Sequence, residues 1–206
     1  MRIEKVECEQ KEIIKEVVSI HLDSFKGFFL TFMGKGFLRE MYCSFCEHSA
    51  SGLLVAKDDD GQILGFLAFS SELSGLYKYM LKKRLIVFAW YSLGAFLRKP
   101  KVFFRLFRAF LKPGESKREE KYMELSSIGV SSKHTASGVG TTLIDELKKI
   151  TDFSIYEYIT LETDAENNEA ANGFYLKNGF KLVRTYRTHE GRAMNEYRFC
   201  EKEVIQ

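Results

Sequence analysis

The stretch ELSSIGVSSKHTASGVGTTLIDELKK, residues 124–149, constrains this chain more than any other. An apolar strand pattern runs into a loop of small residues, and at Gly138-Val139-Gly140 the loop opens a helix whose apolar stripe is Val139, Leu143, Leu147 and Ile150. A strand and a helix in immediate succession must each bury one side, so the layers are α/β. The loop also has a chemical aptitude. Glycines let a ligand approach bare backbone, and the unpaired N–H groups of a helix start point at negative charge, which together make an anion cradle. A tight strand-to-helix turn without ligand is the plain alternative. Two well-known cradles are excluded: the third glycine of G-x-G-x-x-G falls on Leu143, and no Gly-Lys-Ser/Thr follows.

The rest of the chain reads as a mixed α/β domain. Residues 2–8 alternate like a strand, and Ile13, Ile14, Val17, Val18 and His21 repeat at helical spacing. Gly27, Gly34 and Gly36 punctuate an aromatic run in which Phe28, Phe29 and Phe32 read as core rather than as a loop over a pocket, before a helix over 37–46. Apolar runs at 53–56 and 63–69 flank KDDDGQ, where Asp60-Gly61 signals a hairpin. Strands at 122–130 and 158–162, helices at 139–150 and 168–177, and a final hairpin over 181–201 complete the order.

Composition bounds what this fold can do. At 206 residues one domain, 1–206, suffices to bury a core, and a net charge of +3 argues for no nucleic-acid partner. The first ten residues mix both charge signs without an apolar run, so a cytoplasmic location is expected. Cys8, Cys43, Cys46 and Cys200 are scattered as in a reduced compartment. Cys43 and Cys46 form a C-x-x-C without a matching ligand pair, so no metal is expected, and two buried thiols on one helix face are the reading.

One organisational oddity remains. From about 73 to 113 the chain carries ten basic residues and no acid, interleaved with Phe, Leu, Tyr and Trp90. This reads as a basic helical insert, an amphipathic hairpin over 77–112. Leu85, Phe88, Phe103, Leu106 and Phe110 are available for its apolar face, and Lys82, Arg98, Arg105 and Arg108 for its charged one. It lies between the hairpin ending near Phe69 and the strand bearing Glu124, so its two ends are near that strand. The partners that fit are the phosphates of a nucleotide-linked sugar, an anionic membrane carrying a lipid-linked molecule, or an acidic protein; a solvated face that braces the fold or a homodimer is the alternative.

At the cradle the chain resembles the GNAT superfamily, the Gcn5-related N-acetyltransferases. Thr135-Ala136-Ser137-Gly138-Val139-Gly140 is similar to the family's Gln/Arg-x-x-Gly-x-Gly/Ala, with Thr135 in place of the usual Gln or Arg. A second match, NNEAANGFYLKNGFKLV, places Asn168, Ala171, Tyr175, Gly179 and Phe180 on the family's Asn-x-x-Ala-x-x-x-Tyr-x-x-x-Gly-Phe. The resemblance implies a mostly antiparallel central sheet flanked by helices, with two neighbouring parallel strands splayed apart.

Acetyl-CoA is then the implied co-substrate. Its pantetheine would pair with Ile128, Gly129 and Val130, and its phosphates would sit at 135–140 and Thr141, with Asn168 nearby. The implied reaction is direct transfer of the acetyl group to a primary amine, the acceptor being a small amine such as an amino sugar, or an anionic or lipid-linked one. Such a reaction needs a base for the amine and a donor for the leaving thiolate. The resemblance assigns the donor to Tyr175, whose alternative is packing, and the base to Glu124, whose alternative is a solvated strand start. Even spacing puts Glu124, Ser126, Ile128 and Val130 on one face. Two other functions compete: an acyl-CoA-binding module without catalysis, given the missing Gln/Arg, and a membrane-surface protein docking through the insert.

Overall fold

The computed structural model describes residues 1–98, 100, 120–135, 137–188 and 191–201. The chain runs β1 (Arg2–Lys5), α1 (Lys11–Ser24), α2 (Phe29–Met33), α3 (Lys35–Glu47), β2 (Ser51–Lys57), β3 (Ile63–Ser70) and α4 (Leu73–Arg98). It continues with β4 (Tyr122–Val130), a short 3-10 turn (Ser132–His134), α5 (Val139–Ile150), β5 (Tyr158–Asp164), α6 (Glu169–Lys177), β6 (Lys181–Arg187) and β7 (Ala193–Phe199). The seven strands form one sheet in the order β1-β2-β3-β4-β5-β7-β6. Every neighbouring pair is antiparallel except β4 and β5, which are parallel because α5 carries the chain back across the sheet between them. This is the mixed, mostly antiparallel sheet expected.

Two cores sandwich the sheet. On one side Val17 of α1, Leu38 and Tyr42 of α3 and Leu76 and Phe88 of α4 pack on Val55 and Phe66. On the other, Leu143 and Leu147 of α5 and Tyr175 of α6 pack on Leu54, Leu67 and Ile159. β2 and β3 are therefore covered on both faces, which is why their sequences read as apolar runs rather than alternations. The α5 stripe differs in one member from expectation. Ile144 is buried, whereas Ile150 is exposed because the helix ends there.

Cys43 is buried and Cys46 half-buried on α3, and burial pushes the Cys46 thiol up to about 12, so it stays protonated at neutral pH. Among the described residues no group of three potential ligands is placed to hold a metal, and no helix is long and apolar enough to cross a membrane.

The described part of the insert is one helix, α4, which begins at Leu73 as expected and is kinked at Arg84, whose φ of −132° is non-helical. Arg84 is not a solvated cation: its guanidinium pairs with Glu40 and Glu47 of α3. Phe88 faces the core as expected, but Leu85 faces solvent, because Leu76, Met80 and Phe88 already fill the side packed on α3. Phe103, Arg105, Leu106, Arg108 and Phe110 lie outside the described residues, and the side chain of Arg98 is not described.

Candidate active site

The candidate site opens where β4 and β5 part. They pair at Tyr122↔Tyr158, Met123↔Ile159 and Glu124↔Thr160 and then stop, although β4 continues to Val130 and β5 to Asp164. Beyond that rung β4 remains paired to β3 and β5 to β7, so the facing edges diverge with backbone polar groups that do not pair with each other. Such groups require partners, and an extended amide-bearing ligand supplies them as an added strand would.

A β-bulge accompanies the parting. Phe69 lies opposite Leu125 and Ala68 opposite Ser127, leaving Ser126 as the extra residue; its hydroxyl is buried without a hydrogen-bond partner among the described residues. A bulge bends its strand and increases the local twist, which turns β4 away from β5. It also overturns the expected alternation. Glu124, Ser127 and Gly129 lie opposite Ser70, Ala68 and Phe66 on the α1 side, whereas Ile128 and Val130 pack with α5 on the other. One inserted residue moves everything after it to the opposite face.

The cradle stands at the open end of this wedge. Gly138 is left-handed, with φ +80°, and a side chain there would meet open space. α5 starts next to it with no side chain capping its first amides. Thr135 Oγ1 and Ser137 Oγ turn back to carbonyls of their own loop, those of Ser132 and His134, so the loop offers backbone N–H groups rather than hydroxyls. Ala136 lies outside the described residues. The Nδ1 of His134, also in this loop, is buried without a partner among the described residues. Val139 and Gly140 are buried and Thr141 is exposed. A Cβ on Gly140 would come within 2.9 Å of Phe174 Cζ and 3.6 Å of Val130 Cγ2, so that glycine lets the ends of β4, α5 and α6 converge. An uncapped helix start behind a left-handed glycine, facing space a side chain does not fill, fits a phosphate ligand.

Tyr175 is buried on α6, ringed by Phe174, Phe180 and Tyr197 with centroids 5.4, 6.0 and 5.9 Å away. Burial pushes its hydroxyl up to about 12, which keeps the proton on at neutral pH. Asn168 is occupied structurally: its side-chain NH2 donates to Thr163 Oγ1 at 2.8 Å and to the Asp164 carbonyl at 3.3 Å, tying α6 to the end of β5.

The sequence profile of the acetyltransferase (GNAT) family matches residues 15–180. The chain belongs to the GNAT acetyltransferase family. Comparison with curated protein sequences finds no match. Solved structures of like fold include ribosomal-protein-alanine N-acetyltransferase from Brucella melitensis, 15% identical, TM-score 0.62, covering 97% of this chain and 99% of that one. Another is aminoglycoside 6′-acetyltransferase type Ii, 14% identical, TM-score 0.63, covering 97% of each chain. A Bacillus anthracis structure named for a streptothricin acetyltransferase, in complex with acetyl coenzyme A, is 17% identical with TM-score 0.50 and covers 78% and 68%. At these identities the likeness is one of fold.

Within this GNAT fold the sheet face bearing Glu124 gathers groups that the sequence did not single out. Glu124 pairs in register with Thr160, and the next residue of β5 on that face is Glu162, whose Oε2 accepts from the Tyr186 hydroxyl at 2.6 Å. Burial, and then the Glu162 carboxylate, raise the Tyr186 hydroxyl well above its ordinary range. Farther along, Arg192 grips Asp164 at 2.7 and 2.8 Å and lies 5.8 Å over the ring of Phe28. Phe28 is therefore exposed rather than core, an aromatic at the edge of the face where α1 leads into α2. Glu196 is fully buried, its carboxylate held by Arg184 at 2.7 Å and Arg198 at 2.9 Å. Strand parity signals which side Glu162 takes, but its proximity to Glu124 depends on the β4–β5 register.

Proposed function

We propose that this chain transfers the acetyl group of acetyl-CoA to a small primary amine, an amino sugar being the class to test first. The observation that carries the reading is the parting of β4 and β5 at Glu124 and Thr160, with the cradle at the end of the wedge. The backbone edges of Ile128, Gly129 and Val130 would hold the pantetheine arm, and the amides of Gly138, Val139, Gly140 and Thr141 the pyrophosphate. The bound thioester supplies the acyl group.

An ammonium cannot attack a carbonyl, so a carboxylate on the Glu124 face takes the proton, directly or through water. Glu124 and Glu162 also favour arrival of a cationic amine. The bulge at Ser126 frees backbone from the β3 ladder, giving N–H groups a role where negative charge develops on the carbonyl oxygen. Tyr175 donates to the departing sulfur. With its pKa near 12, against about 8.5 for an ordinary thiol, it stabilises the thiolate by hydrogen bonding rather than by surrendering its proton outright. The names of the neighbouring structures, aminoglycoside and ribosomal-protein-alanine acetyltransferases, support an amine acceptor, and the complex with acetyl coenzyme A supports the donor.

Release of free thiol from acetyl-CoA over a panel of amines, amino sugars included, tests the proposal. Amine-dependent release is expected. Acetyl-CoA binding without release on any amine would make the chain an acyl-CoA-binding module instead.

A further inference from the structure

α4 buries one side against α3, and among the described residues nothing covers the other. After the kink at Arg84, Ile86, Trp90, Leu93 and Leu97 are 84%, 72%, 47% and 71% exposed. Their spacing of four, three and four residues aligns them as one stripe about 16 Å long. Between positions 85 and 97 every residue described as exposed is apolar, including Leu85, Val87 and Ala89. At the start of the stripe Lys78, Lys82 and Lys83 are exposed and make no ion pair among the described residues. A contiguous apolar face of this kind on a soluble fold marks something it docks on.

We propose that the outer face of α4 lies in the interface of an anionic lipid bilayer. Three observations choose this occupant. Lys78, Lys82 and Lys83 stand exposed at the start of the stripe, so a second copy of the chain docking by the same face would bring like charges together. Among the described residues the exposed stripe offers apolar area and one indole but no carboxylate, amide or hydroxyl with which to select a folded partner, whereas a bilayer asks for none. Apolar side chains flanked by lysines, with a tryptophan between, suit the boundary of acyl chains and headgroups. Because no described helix is apolar enough to cross, α4 lies on the surface rather than spanning it. The helix starts three residues after Ser70, which pairs with Glu124, so docking would hold the acceptor face close to lipid.

Trp90 is the one tryptophan of the chain, so its fluorescence reads the contact directly. With vesicles of phosphatidylcholine and phosphatidylserine, the full-length protein should sediment and Trp90 emission should shift to the blue. Phosphatidylcholine alone should do neither, and added salt should reverse the binding. Ile86→Glu/Leu97→Glu, both at exposed positions that leave the Trp90 probe in place, should abolish the shift while acetyl-CoA affinity and Tm hold. Lys82→Gln/Lys83→Gln should weaken partitioning on the order of thirtyfold. Unshifted emission with phosphatidylserine vesicles, equal binding to neutral vesicles, or wild-type binding by Ile86→Glu/Leu97→Glu would each overturn the proposal. So would a lipid-free blue shift that grows with protein concentration, which would assign the face to a second copy.

Discussion

His21 illustrates what burial does to one residue. It is enclosed by Phe25, Tyr42 and Phe66, with Nδ1 2.7 Å from the Tyr42 hydroxyl, and burial lowers its pKa from 6.5 to about 4. Between those values the unfolded chain binds a proton that the folded one refuses. Its contribution is therefore complete above 6.5 and is lost as pH falls towards 4, to a limit of about 3 kcal/mol. Urea unfolding across that range should show the stability gap between wild type and His21→Gln narrowing as pH drops; a constant gap would contradict it. At Tyr175 the ring packs, and the proposed role falls to the hydroxyl alone. Tyr175→Phe should therefore lower kcat by about 10²-fold with acetyl-CoA affinity nearly kept, and unchanged kcat would leave Tyr175 a packing residue. Glu124 and Glu162 are the two candidates for the proposed base. Rate rises with pH as a base loses its proton, so Glu→Gln at the true base flattens the rising limb of the kcat/KM profile. Flattening by Glu162→Gln alone would assign that role to Glu162.

At the scale of elements, the junction of β4, α5 and α6 separates two glycines that look alike in sequence. Gly138 is left-handed with open space beyond it, and asparagine tolerates that backbone. Gly138→Asn should keep Tm but raise the acetyl-CoA Kd about tenfold, the loss of roughly one charge-assisted contact, as calorimetry would measure. Gly140 faces the Phe174 ring. A valine there overpacks the α5–α6 contact and would cost about 1–3 kcal/mol without any ligand. Of the two, Gly138 probes the cradle without disturbing the fold.

For the whole molecule, β4 and β5 join the β1–β4 and β5–β7 parts of the sheet through three paired positions. A ligand spanning the wedge adds a bridge where the sheet is least joined. With acetyl-CoA at about a hundred times its Kd, stability should rise by about 2.7 kcal/mol, a Tm increase of about 5–10 °C for a domain of this size. Scanning calorimetry checks this, and an unmoved Tm would count against the wedge as the binding site.

The order of elements, the α5 stripe apart from Ile150, and a glycine-led helix start after β4 were legible in the chain. Each depends on contacts between residues close in sequence or on a fixed period. The bulge at Ser126, the pairing of Glu162 with Tyr186, the exposure of Phe28 beneath Arg192 and the outward turn of Leu85 were not. Each of these is settled by a partner distant in sequence: β3 sets where β4 must gain a residue, the β6–β7 hairpin brings Tyr186 and Arg192 across, and α3 leaves α4 only one side to bury. Periodicity identified the faces of individual elements, but only the register between strands decided which carboxylates share the sheet face beside the wedge.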